Sequence, residues 1–326
     1  MKTPHAAAFA ICALGIAIAQ AESVEFKPRF DEPLYIEVTQ TAEQKMTGAM
    51  APPEGMLIKS VNTNGFWQEA RSPRELELKI ERIHMHLIHP APMVGEIEYD
   101  SDAPPPADAD ATMNTFATMF KPWLGRALRA KLNAQNRVEE LKGFDEILDA
   151  MEEAAAGDML YEQFKTNLTA DGYKALLHDT RFTPLPSGKV EVGDTWKSVY
   201  EFDTPNLGKL VSEYDCKLES VEGSAAVISY AGVTRPAEGA TPPSNPMGMT
   251  PELKSWTFKG GLEYDLKREC VVSMTGDADQ QLDLTMGQGD AAQTLHVDAK
   301  STIVTKALTR AERESQKSKA SRPSAG

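Results

Sequence analysis

The residues with the clearest chemical potential lie between Glu75 and Asp100. His84 and His86 stand two apart in a stretch that alternates like a strand, so they share a face, with His89 nearby. Two histidines on one face can ligate a metal. Here they fall opposite Ile83, Met85 and Leu87, on the polar side with Glu75, Glu77 and Lys79, and no spacing supplies a third ligand. A solvated face is expected, with no metal. Arg82 and Asp100 form the next candidate, an ion pair across neighbouring strands that would pin their register; an anion-binding role for Arg82 is the alternative. Cys216 and Cys270 both sit on apolar strand faces and could form a disulfide or remain buried thiols. Nucleophile elbows, zinc-protease helices, phosphate loops and calcium loops are missing. Past residue 21 only five histidines remain, none in a recognisable catalytic setting. No catalytic residue and no cofactor is implied, and a non-catalytic protein is expected over a hydrolase.

The strongest apolar feature is the stripe Met113, Phe116, Met119, Phe120 and Trp123 at helical spacing. It either covers a sheet and completes a core, or lines an apolar cavity with Met113, Phe116, Phe120 and Trp123 facing a ligand.

The N-terminus sets the compartment. Lys2 is the only formal charge before Glu22, and an apolar run from Ala6 to Ile18 ends in Ala19-Gln20-Ala21. This pattern predicts a cleaved secretory signal peptide over residues 1–21, too short an apolar run to span a bilayer. Ile11 before Cys12 is a poor lipidation context. Export to a periplasmic or extracellular space is expected, with no transmembrane segment afterwards. Removing these residues takes away one Lys and no acid, so the formal charge of −14 becomes −15. That charge repels phosphate backbones and argues against nucleic-acid binding.

The elements that must position these residues read as two β-rich halves. Residues 22–143 form the first. Leu34, Ile36 and Val38 alternate with polar residues; Met56 to Ala70 reads as a strand pair around Asn62-Thr63-Asn64-Gly65. In Glu75–His89 the apolar parity changes at Glu81-Arg82, which predicts a β-bulge. Residues 144–188 read as a helical connector, and 189–308 as a second β-rich half. Within it, Cys270–Thr275 and Gln280–Met286 read as separate strands, and Arg235–Pro251 as a mobile loop. Residues 309–326 lack apolar content and are expected to be a disordered tail. Gly95-Glu96-Ile97-Glu98-Tyr99-Asp100 matches Gly260-Gly261-Leu262-Glu263-Tyr264-Asp265, which hints at an internal repeat.

Several of these segments carry a family resemblance. Ile80-Glu81-Arg82-Ile83 followed by Glu98-Tyr99-Asp100-Ser101, then Asn136-Arg137-Val138 with Gly143, Val192-Gly193-Asp194-Thr195-Trp196, and Glu263-Tyr264-Asp265-Leu266, resemble the motifs of an uncharacterised family of exported bacterial β-rich proteins. The match spans about residues 30–307, with Glu81 where the family pattern has Asp and Asn136 where it has Gly. The resemblance implies antiparallel β architecture with inserted helices, similar in outline to the envelope carriers of lipoproteins or lipids. It implies no catalytic residue. The expected fold is therefore α+β, with two related, curved antiparallel halves and helices between them. The expected function is an envelope protein that binds an apolar, lipid-like ligand or an envelope partner; a structural or interaction protein without a small ligand is the alternative.

Overall fold

The computed structural model describes residues 23–320, apart from 50, 91–94, 104–110, 134–135, 156, 158–160, 163–164, 166–167, 182–184, 205, 241–248 and 288–291. The expected signal peptide lies outside the described residues, as do residues 241–248 of the expected loop Arg235–Pro251.

The fold is mostly β. Its strands are β1 (Val24–Glu25), β2 (Leu34–Gly48), β3 (Met56–Ser72), β4 (Glu75–Ile88), β5 (Glu96–Asp100), β6 (Ala127–Leu132), β7 (Val138–Lys142), β8 (Lys189–Val190), β9 (Thr195–Thr204), β10 (Gly208–Glu222), β11 (Ala225–Pro236), β12 (Met249–Asp265), β13 (Cys270–Met286) and β14 (Gln293–Leu308). The helices are α1 (Ala111–Phe120), followed by a 3-10 turn at Lys121–Trp123, α2 (Phe144–Ala155), α3 (Ala170–Arg181) and α4 (Arg310–Ala320). β1 and β8 form a small separate pair.

The two β-rich halves do not form two sheets. They join into one twelve-stranded sheet in the order β7-β6-β4-β3-β2-β14-β13-β12-β11-β10-β9, with β5 also on β4. The junction is the antiparallel pairing of β2 with β14, from Leu295↔Gly48 to Leu308↔Tyr35. Sheets of this width coil because each strand is twisted relative to the next. Here the coiling brings the edges together. The Arg137 guanidinium, beside β7, donates to the Val199 carbonyl of β9 at 2.7 Å and lies 5.4 Å from the Tyr200 ring. Helix α3 touches both edge strands.

Several long strands run through stretches whose composition suggested turns. β3 is continuous across Asn62-Thr63-Asn64-Gly65, and β13 across Gly276-Asp277-Ala278-Asp279. Period two still holds there: Asn62 and Asn64 face opposite to Thr63 and Gly65, and Gly276 and Ala278 opposite to Asp277 and Asp279. The bulge in β4 falls at Glu81, since Gly65 pairs with Arg82 and Phe66 with Ile80. It keeps Leu76, Leu78, Ile80 and Ile83 all buried in one core.

Residues 310–320 correct the expectation of a disordered tail: they form α4. Thr309 and Glu312 make a reciprocal cap. The Thr309 backbone N–H and hydroxyl donate to Glu312 Oε2 at 2.6 and 2.8 Å, and the Glu312 N–H donates back to Thr309 Oγ1 at 3.3 Å. The helix has little apolar surface of its own, so it docks by charge and stacking. Arg313, 5% exposed, lies 4.0 Å over the ring of the fully buried Tyr35, and Arg310 lies 4.9 Å over Trp67. Glu81, the bulged residue, accepts from Trp67 Nε1 at 2.5 Å and from Lys317, and faces Arg313 at 3.7 Å.

This hub has a pH consequence. Burial acts to raise the Glu81 pKa, but the hydrogen bonds from Lys317 and Trp67 outweigh it and hold the carboxyl below the usual carboxylate range. A depressed folded value contributes stability that is present above the unfolded value, about 4.3, and is lost as pH falls through the folded value. Urea midpoints measured from pH 6 to 3 are therefore expected to fall less steeply for Glu81→Gln than for the wild type. Parallel acid arms would remove Glu81 from the account.

Candidate functional site

The two faces of the sheet differ in chemistry. The inner face packs against helices α1 to α3 and the N-terminal segment. Following the register, it carries Ile36, Val38, Gln40, Ala42, Gln44 and Met46 on β2, and Ala307, Thr305, Ile303, Ser301, Ala299, Val297 and Leu295 on β14. On β12 and β13 it carries Leu253, Trp256, Phe258 and Gly260 beside Leu282, Gln280, Ala278 and Gly276. Between the strand ends, these inner positions hold no Asp, Glu, Lys, Arg or His. The ionisable residues of the same strands point outward and pair there, as in Lys59–Glu43, Lys197–Asp215 and His296–Asp283.

Among the described residues, only part of the inner face is filled. Under the helices the core is solid: Met119, Phe144, Ile147 and Met151 are each at most 1% exposed. The aromatic stripe belongs to this core. Phe116 stacks on Phe120 at 6.0 Å, and Phe120 on Tyr99 at 5.6 Å. Trp123 meets Phe144 at 5.7 Å and Tyr173 at 5.5 Å, and its Nε1–H points to Met151 Sδ at 2.6 Å. Phe116, Phe120 and Trp123 are buried and Met113 is half-buried. The three buried residues pack in the core with α2 and with Tyr173 of α3.

The apolar hollow lies on the other half. It has a volume of about 90 Å³ and is lined by Phe202, Tyr214, Tyr230, Trp256 and Phe258, by Met274, Gly276, Ala278 and Ile303, and by the polar Ser212, Thr234 and Asp277. The rings fall into two sets: Tyr214 and Phe258 lie 4.5 Å apart beside Tyr230, and Phe202 lies 5.3 Å from Tyr200 and 6.4 Å from Trp256. Glycines make the wall possible, since a Cβ on Gly260 would meet the Thr275 carbonyl at 2.1 Å and the Tyr230 hydroxyl at 2.6 Å. The hollow is smaller than the roughly 150 Å³ apolar cavity that accepts benzene, so it suits the end or bend of a chain. Toward the turns at Gly48 and Gly287, the inner face is half-exposed and rich in Met and Leu: Met46, Met56, Leu253, Leu282, Leu284 and Leu295. Larger recesses of about 540 and 530 Å³ open on the outer face, among charged residues such as Glu69, Glu77 and Lys79, or Glu201, Lys209 and Arg235.

The residues singled out by sequence lie elsewhere. Arg82 and Asp100 form a two-point ion pair on the outer face, with Nη2–Oδ2 at 2.7 Å and Nε–Oδ1 at 3.4 Å. Burial acts to raise Asp100, but the Arg82 hydrogen bond and the Asp102 N–H hold it below the ordinary range. Each strand histidine sits by one glutamate, His86 by Glu96 at 2.8 Å and His84 by Glu98 at 3.6 Å. No group of three or more candidate ligands occurs among the described residues.

Cys216 and Cys270 are both buried thiols and not a disulfide, the second of the two arrangements that the sequence leaves open. β11 and β12 lie between their strands, a lateral separation of roughly 14 Å. Cys216 is also in register with Gly276 through Tyr230 and Gly260, six residues along β13 from Cys270. A disulfide needs Cα atoms within about 7 Å. Burial pushes the Cys216 thiol up to about 12, as befits an inert core residue.

Against known proteins, residues 74–268 match the model of a family of unknown function, DUF6263. The chain belongs to this family. The matched stretch runs from the start of β4 to the turn after β12, and so includes the bulge, the Arg82–Asp100 pair and the aromatic wall of this family member. No curated protein matches the chain. Among solved structures it is similar to lipovitellin, from a study of its lipid–protein interactions, at 9% identity and a TM-score of 0.44, covering 87% of this chain and 25% of that one. It is also similar to an outer-membrane channel from Pseudomonas putida F1, at 8% identity and a TM-score of 0.23, covering 89% and 98%. Both scores lie below 0.5, so neither likeness bears on function. No described helix is long and apolar enough to cross a membrane.

Proposed function

We propose that this protein is an exported, non-catalytic envelope protein that holds an apolar or amphipathic ligand against the inner face of its sheet. One observation carries the proposal: among the described residues the inner face holds no Asp, Glu, Lys, Arg or His between the strand ends, and helices cover only one part of it. The remainder is half-exposed Met, Leu and aromatic surface, of the kind that adapts to varied apolar ligands. We also read the two halves as related units placed side by side. β5 and β12 are each the fourth strand of their half, counted from β2 and from β9. Ile97, Tyr99, Leu262 and Tyr264 are buried alike, and Asp100 and Asp265 each accept the N–H two residues on, at 3.0 and 2.9 Å.

The test is native mass spectrometry of the protein purified from the envelope of a producing cell, with organic extraction of any bound mass. A lipid-class adduct is expected. Ala278→Phe, which fills the hollow, is expected to lower its occupancy at least tenfold. A chain that emerges ligand-free and takes up nothing from lipid vesicles would rule the proposal out.

A further inference from the structure

The inner face is not uniformly apolar. Between the packed core and the Met/Leu zone runs a belt of small and uncharged hydrogen-bonding side chains. Asn62 on β3 lies opposite Gln40 on β2, with Asn64 two residues on. Gln44 on β2 and Gln280 on β13 flank Ala299 on β14 in a single row. Ser60 and Ser301 flank Ala42 in the next row. Thr305, 1% exposed, closes the upper end of the belt, and its hydroxyl has no partner among the described residues. The five amides are half-buried, and none has a hydrogen-bond partner among the described residues.

Covering a half-exposed amide with a bound molecule strips its water, which is costly unless the molecule answers it with an acceptor or donor of its own. Gln44 and Gln280 lie two strands apart, roughly 10 Å, so one bound molecule can reach both. A carboxylate or ammonium in this place would meet no counter-charge and would lose its hydration. The zone next to the belt offers Met46, Met56, Leu282, Leu284 and Leu295 to alkyl chains, and the aromatic hollow adjoins it through Ala278 and Trp256.

Resting on the ligand-binding function above, we infer that the occupant is an uncharged acyl lipid whose ester or amide carbonyls sit on the Gln40–Gln44–Asn62–Gln280 belt and whose chains lie on the Met/Leu zone. Any charged group stays outside the inner face.

The test offers the purified full chain three probes at pH 7.5: dioleoylglycerol, squalene and oleate. Native mass spectrometry reads the occupancies. Dioleoylglycerol is expected to exceed squalene at least tenfold, with oleate lowest. Gln44→Leu/Gln280→Leu removes two of the belt's amides and is expected to abolish the preference by a roughly tenfold loss of dioleoylglycerol, with squalene retained. If that pair fails to fold, Gln280→Leu alone is expected to give roughly a fivefold loss. The wild-type ranking tests the inference whatever the variants do. Oleate or squalene bound as tightly as dioleoylglycerol, or a preference unchanged in the variants, overturns the lipid class and leaves the ligand-binding function standing. Uptake of none of the three overturns both.

Discussion

Trp123→Ala is expected to lower the unfolding free energy by about 3–5 kcal/mol, the range for truncating a large buried aromatic. The indole is 5% exposed, meets Phe144 and Tyr173, and directs its N–H to Met151. Its removal opens a void that three elements border: the 3-10 turn, α2 and α3. Rigid neighbours collapse poorly into such a void, which puts the cost at the high end. Trp123→Phe keeps most of the volume and is expected to cost less than half as much. The measurement is a urea midpoint for each variant, with lipid uptake measured well below the midpoint. Uptake within twofold of wild type is expected, because the hollow is walled by other strands. A large loss of uptake with little loss of stability would instead return the aromatic stripe to the ligand site.

Gly65→Ala is the second large effect. Gly65 lies on the outer face of β3 against the fully buried Tyr35, and a Cβ there would meet the Tyr35 hydroxyl oxygen at 1.8 Å and its ring carbon at 2.6 Å. Tyr35 has little room to yield. Trp67 packs edge-on at 5.5 Å, and Arg313 covers the ring at 4.0 Å. The methyl must therefore displace the ring, and with it Arg313 and the docked α4. A loss of about 3 kcal/mol is expected, at the upper end of overpacking costs. Trypsin is expected to cleave faster after Arg313 and Lys317 in the variant than in the wild type. Wild-type stability and protection together would show that the tyrosine moves at no cost.

The sequence by itself determined the local grammar. Strict alternation placed Leu34–Val38 and Leu76–Ile80 on a buried face, and the parity change at Glu81-Arg82 marked the bulge that the pairing with Gly65 and Phe66 shows. From Thr309 onward, poor apolar content suggested disorder. Composition cannot report a helix held by Arg313 over a tyrosine 278 residues earlier in the chain. Likewise, Asn62–Gly65 and Gly276–Asp279 read as turns, because small and amide residues weaken the apolar signal of a strand.

The tertiary structure alone decided where the candidate site lies. The pairing of β2 with β14 makes one sheet of two halves, and Arg137 with α3 draws its edges together. Only that closure turns scattered Gln, Ser, Gly and Met positions into a single inner face without Asp, Glu, Lys, Arg or His between the strand ends of the described residues. It also parts Cys216 from Cys270 and sends the Phe116–Trp123 stripe into the core. The physical reason is that face and neighbour are long-range properties. Period two says that a strand has two sides; which side meets the lumen, and which strand lies beside it, depends on pairings that span most of the chain.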